Sequence, residues 1–261
     1  MVVAVVVAGL EDLAAVAASA AAAPEETSSV IEPFLTLADR VLGAGYSAVV
    51  SGSVVRGDHI PGRSDYNLLV VAERLGPPEL KGLGPEFARF AAEDLGPPLL
   101  VTRAEWARAA DVFPIEIADM RTAYKVVRGT DPLAGQSVRP EELRRALESE
   151  FRGKLLRLRL SLGLHSGDPE ALGTAVGYSI GSIRVLLRAT LVLLGNVVPE
   201  GDPELSHRIA DLLGVGQGPL LELLGHRRDT AWKADPALFE TYVGIVEAAT
   251  RFIDQYHAGE H

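Results

Sequence analysis

A chain of 261 residues, 48% hydrophobic and 23% charged, with a mean hydropathy of +0.17, carries enough apolar side chain for one large core or two ordinary ones, which excludes a disordered chain. The absence of cysteine excludes disulfide staples, thiolate metal sites, iron–sulfur clusters and cysteine nucleophiles, so any metal must rest on oxygen or imidazole ligands. Lys and Arg total 25 against 35 Asp and Glu, and the resulting net charge of −10 has the wrong sign for stable binding along a nucleic acid, leaving small molecules or proteins as the expected partners.

The first 28 residues read as an Ala- and Val-rich extension. Val2 to Ala8 is apolar, but Glu11 and Asp12 interrupt it and no Lys or Arg precedes it as a secretory leader requires. No fully apolar stretch reaches the roughly 20 residues that span a bilayer. A cytoplasmic protein with no membrane partner is therefore expected.

From residue 29 to 138 the pattern switches period repeatedly, as in a mixed α/β domain. An amphipathic helix is predicted over Ile31 to Leu42, a buried strand over Ser47 to Val50, and a second strand over Tyr66 to Ala72. Gly76 to Gly84 reads as a loop before a helix over Glu86 to Leu95, and Leu99 to Val101 as a strand. Thr102 with Glu105 forms a capping box that opens the next helix. The alternation in Phe113 to Ala118 predicts a further strand, and Ala123 to Val127 closes the sheet, with Gly129 to Gly135 as loop.

From residue 139 to 261 the pattern is helix after helix, and an antiparallel bundle is expected. Asp168-Pro169-Glu170, Asp202-Pro203-Glu204 and Asp235-Pro236 each place aspartate as N-cap and proline at the first helical position. Phe151, Leu155, Leu158 and Leu162 share one face, and Ile183 to Leu194 is apolar nearly all round, as a central helix would be.

The strongest chemical signal is Ser51-Gly52-Ser53 at the end of a predicted strand, then Arg56-Gly57-Asp58, then Ser64-Asp65-Tyr66-Asn67-Leu68-Leu69-Val70-Val71 entering the next. Side chains at i and i+2 of a strand share a face, so two oxygen ligands there can grip divalent cations that carry a triphosphate. This arrangement resembles the nucleotidyltransferase-fold signature of the DNA polymerase β superfamily, in which Gly-Ser after one strand is followed by Asp-x-Asp at the start of the next. Gly129-Thr130-Asp131-Pro132-Leu133 and the helical second half are similar to the antibiotic nucleotidyltransferases. Phe113-Pro114-Ile115-Glu116 ahead of Arg152 to Leu156 resembles an uncharacterised bacterial branch.

The resemblance implies an α+β fold, a nucleotidyltransferase-like mixed-sheet domain followed by an all-α antiparallel helical bundle, with the site in the cleft between them. It implies Mg²⁺ or Mn²⁺ held by Asp65, Asn67 and Glu116, with Asp119 as second choice for the third carboxylate. A nucleoside triphosphate is held by Gly52, Ser53, Arg56 and Ser64, and a nucleoside monophosphate passes to the hydroxyl of a small-molecule or protein acceptor. Catalysis falls to Asp65, Glu116 and Asn67. The departure is Asn67 itself, which stands where the family has its second Asp and brings no negative charge to a cation. A nucleotide-binding or interaction module with impaired catalysis is the alternative reading, and the oligomeric state stays open, a homodimer included.

Other patterns compete. Gly177-Tyr178-Ser179-Ile180-Gly181 fits the nucleophile elbow of a serine hydrolase, with His207, His226 and His257 as nominal bases, although its flanks read as helix and its glycines suit close packing. Arg152, Lys154, Arg157 and Arg159 form a basic patch, read either as phosphate-binding or as ion pairs with neighbouring glutamates. Arg184 and Arg188, one turn apart in an apolar helix, require partners, either a ligand or another helix. His59, between the Gly-Ser turn and Asp65, is placed to touch a nucleotide or to sit in an exposed loop.

Overall fold

The computed structural model describes residues 25–57, 59 and 65–256, and the chain divides after Val138 into two compact units. The expectation for residues 1–24, and those for Ser64 and His257, lie outside the described residues.

The first unit is built on a four-stranded sheet. Its strands are β1 (Ser47–Ser51), β2 (Asn67–Ala72), β3 (Leu99–Thr102) and β4 (Tyr124–Arg128), in the order β3-β2-β1-β4. β2 runs parallel to β3, while β1 is antiparallel to both β2 and β4. Period-2 alternation sends the side chains of Ala48, Val50, Leu68 and Val70 to one face, against Phe34, Leu35 and Ala38 of α1 (Glu25–Leu42) and Leu83 and Phe90 of α3 (Pro77–Ala92). Val49, Leu69 and Val71 go to the other face, against Trp106 of α4 (Arg103–Trp106) and Ile117 and Met120 of α5 (Pro114–Thr122). A four-residue helix α2 (Ser53–Arg56) follows β1 directly.

Two predicted elements are corrected. Phe113 to Ala118 is not a strand: Pro114 opens α5, whose buried residues Pro114, Ile115, Ile117, Ala118 and Met120 follow a helical face that the short Phe113/Ile115/Ile117 alternation mimics. Gly76 to Gly84 is not a loop but mostly the first half of α3, which starts at a Pro-Pro pair and holds the Gly76 N–H on the Glu79 carboxylate at 2.9 Å. The Thr102 hydroxyl accepts from the Glu105 N–H at 3.2 Å and the Glu105 carboxylate accepts from the Thr102 N–H at 2.7 Å, which is the predicted capping box.

The second unit comprises α6 (Pro140–His165), α7 (Pro169–Leu193), α8 (Asp202–Leu213), α9 (Gln217–Gly225) and α10 (Pro236–Gln255). α6 packs on α7 and α10 through Leu143, Leu147, Phe151, Leu155 and Leu158. Asp168 and Asp235 are N-caps, accepting from Ala171 and Ala237 N–H groups at 3.1 and 2.9 Å. Asp202 is not: Gly201 takes the N-cap position, and the Asp202 carboxylate instead bridges Arg184 at 2.6 Å and Arg227 at 2.7 Å. Arg188, 1% exposed, donates to the Pro199 carbonyl at 2.7 Å. The two arginines of the apolar helix thus find partners within the bundle. α7, although not fully apolar, also has the length and mean hydropathy (1.4 over 18 residues) of a membrane span, and 67% of that window is buried.

Candidate functional site

The candidate site grows from the end of the sheet where β1 hands over to α2. Ser51 stands directly opposite Asn67 on β2 and opposite Tyr124 on β4, and residues opposite one another in antiparallel strands share a face. Three polar side chains therefore line up across the sheet's end, on the face shared with Val49, Leu69 and Val126. Ser51 is buried, Asn67 exposed and Tyr124 half-buried.

Gly52 makes the turn out of the strand at φ 82° and ψ −146°, a conformation that L side chains rarely adopt. A Cβ there would also lie 2.6 Å from Nδ2 of Asn67, so the carboxamide sits over the glycine. The Gly52 N–H donates to the carbonyl of Ala123, at the junction of α5 and β4, at 3.0 Å. That amide is thereby engaged within the protein. Beside the turn stand Ser53 and Arg56 on α2 and the Asn67 carboxamide over Gly52.

The Asp65 carboxylate lies beside the connection that leads into β3. The ladder of β2 begins only at Asn67, while the preceding Tyr66 N–H donates to the Leu95 carbonyl in the connection between α3 and β3, at 2.8 Å. A Cβ built on Gly96 in that connection would meet the Asp65 carboxylate at 2.7 Å. Asp65 thus lies on the β3 side of β2 and Asn67 on the β1 side.

The expected third carboxylate stands on a helix rather than on a strand. Glu116 is exposed in the first turn of α5, and Asp119 follows one turn later, half-buried. At about 1.5 Å rise per residue, Glu116 stands roughly 10 Å along the helix from the Ala123 carbonyl that receives Gly52, and Asp119 roughly 6 Å. β4, the strand next to β1, carries Tyr124 and Lys125 and no carboxylate. Among the described residues no three His, Asp or Glu side chains are grouped to hold a metal ion. Among the described residues, a carboxylate beside Gly96, a neutral carboxamide over Gly52 and an exposed helical glutamate do not compose a paired Mg²⁺ or Mn²⁺ centre.

Tyr124 is the residue that sequence reasoning missed, because only strand register reveals its alignment with Ser51. Its hydroxyl donates to Asp131 at 2.8 Å, and burial together with that carboxylate raises its pKa above the usual phenol value. Asp131 also accepts from the Leu133 N–H at 2.8 Å, and Trp106 Nε1 donates to the Pro132 carbonyl at 2.7 Å, so the Gly129–Leu133 loop is fastened beneath the sheet end. His59 lies ring-to-ring with Tyr66, with centroids 4.5 Å apart.

The hydrolase reading is overturned. Ser179 lies inside α7, donates to the Ala175 carbonyl at 2.7 Å and meets the Tyr242 hydroxyl at 2.9 Å, with helix on both sides where an elbow needs a strand before it. His207 pairs with Asp211 on the exposed side of α8, and His226 stacks on Trp232 at 3.7 Å. Within the basic patch, Arg152 pairs with Glu148 and Asp254 and Arg159 with Glu247, which is the ion-pair reading.

Among solved structures, the chain is similar to spectinomycin adenyltransferase AAD(9) from Enterococcus faecialis, solved with ATP and spectinomycin. The TM-score is 0.54 at 12% identity, over 87% of this chain and 99% of that one. No family model and no curated protein matches the sequence. The likeness shows the fold: an α+β chain with a four-stranded mixed sheet of nucleotidyltransferase type and a helical region.

Proposed function

We propose that this protein binds a nucleoside triphosphate at the Ser51-Gly52-Ser53 turn and has lost the two-metal phosphoryl transfer associated with its fold. The observation that carries the reading is the pairing of Asn67 with Ser51 over the Gly52 turn, while Asp65 lies at Gly96. The turn keeps its glycine and its hydroxyl, and among the described residues no three carboxylate or imidazole side chains are grouped to gather cations. The fold supports a nucleotide as the ligand class, since the similar adenyltransferase was solved with ATP. That neighbour was also solved with spectinomycin, so a small hydroxylated molecule is the second ligand to test.

Calorimetric titration with ATP, GTP, CTP and UTP tests the binding, and pyrophosphate release in the presence of Mg²⁺ and hydroxylated acceptors tests the loss of transfer. The expected result is saturable binding of at least one triphosphate without pyrophosphate release. Sustained, acceptor-dependent release would establish an active transferase and overturn the proposal, as would no binding of any triphosphate.

A further inference from the structure

Resting on that nucleotide-binding reading, we propose that the site takes its triphosphate as the free anion rather than as a divalent-metal complex, with Asn67 as the hydrogen-bond donor that makes this possible. A carboxylate at position 67 would accept but not donate, and beside a phosphate it would repel unless a cation stood between them. A carboxamide carries two N–H donors and no charge, so it can meet phosphate oxygens directly. The structure puts this donor over Gly52, where the chain leaves β1. The Gly52 N–H is engaged by the Ala123 carbonyl, so this amide is not among the donors the turn presents. Ser53 and Arg56 stand on the short helix that starts at once after Gly52, so a hydroxyl and a positive charge belong to the element next to the carboxamide donor. The carboxylate of Asp65 lies beside Gly96, while the group over Gly52 is the Asn67 carboxamide. That carboxamide, neutral and able to donate, is what points to this ligand form.

The test is calorimetric titration of ATP into the full chain, in EDTA and in Mg²⁺ at matched ionic strength, for the natural protein, Asn67→Asp and Asn67→Leu. Position 67 is exposed, so the variants are expected to keep the fold, with circular dichroism as the check. The natural protein should bind in EDTA at least as tightly as in Mg²⁺. Asn67→Asp should lose tenfold or more in EDTA and recover in Mg²⁺, and Asn67→Leu should weaken in both. Binding by the natural protein that requires Mg²⁺, or an Asn67→Asp variant that binds in EDTA as tightly as the natural protein, would overturn the proposal. No binding under any condition would overturn instead the nucleotide reading beneath it.

Discussion

Gly52 carries two constraints at one Cα: a positive φ and the Asn67 carboxamide overhead. The side chain of Asn67 can shift, but the backbone angle cannot be relieved, so Gly52→Ala should cost roughly 1–3 kcal/mol of unfolding free energy. Urea denaturation of the two proteins reads this directly, and an unchanged midpoint would mean that the turn adopts another conformation. Asp202 is the corresponding residue in the helical unit. Its two carboxylate oxygens hold Arg184 and Arg227, whose side chains are 7% and 9% exposed. Removing it leaves two buried guanidinium groups without that carboxylate, and Asp202→Ala should destabilise the unit by about 3–5 kcal/mol. The sequence already signalled that Arg184 needed a partner, yet the Asp-Pro-Glu pattern assigned Asp202 to capping. Capping geometry and ion pairing compete for the same oxygens, and only the packing of α7 against the start of α8 decides between them.

The second strand, the paired leucines and valines and the proline-opened helices were legible in sequence because each carries its own period and punctuation. The element that misled was Phe113 to Ala118, where six residues are too few to separate period 2 from period 3.6. That ambiguity matters for the site, since it moves Glu116 from a predicted strand to the exposed first turn of α5. The alignment of Ser51, Asn67 and Tyr124 was not legible at all, because register is a property of two chains of backbone and not of one. Close packing of the glycines in α7 was anticipated, but its partner is the connection from α9 to α10 rather than a helix: a Cβ on Gly173 would fall 1.7 Å from the Trp232 carbonyl oxygen. Backbone must move to admit it, so Gly173→Ala should cost roughly 3 kcal/mol and lower the thermal midpoint, whereas Gly181→Ala, with open space around it, should not. At the join of α1 and β1, Tyr46 donates its hydroxyl to Asp39 at 2.7 Å, and burial first and that carboxylate second push its pKa well above the ordinary phenol value. A pKa raised by folding contributes stability that is complete below the unfolded value of about 10 and is lost as pH rises beyond it. Alkaline unfolding should therefore steepen above pH ~10, and Tyr46→Phe should reduce that slope when stability is followed against pH by denaturant titration.

The whole chain combines a strongly acidic composition with a site proposed to bind a still more acidic ligand. A net charge of −10 repels a triphosphate at long range, so attraction must be local to the turn and to Arg56. Added salt, which screens the long-range repulsion more than the close contacts, should weaken ATP binding far less than it weakens binding to a globally basic protein. Whether the nucleotide meets the protein at the β1–α2 turn is read by an ATP titration of the isotopically labelled full chain, followed by amide chemical shifts. The shifts are expected to concentrate at residues 51–57, 65–67 and 123–124. Saturable shifts confined to residues 139–261, or none anywhere, would contradict this expectation.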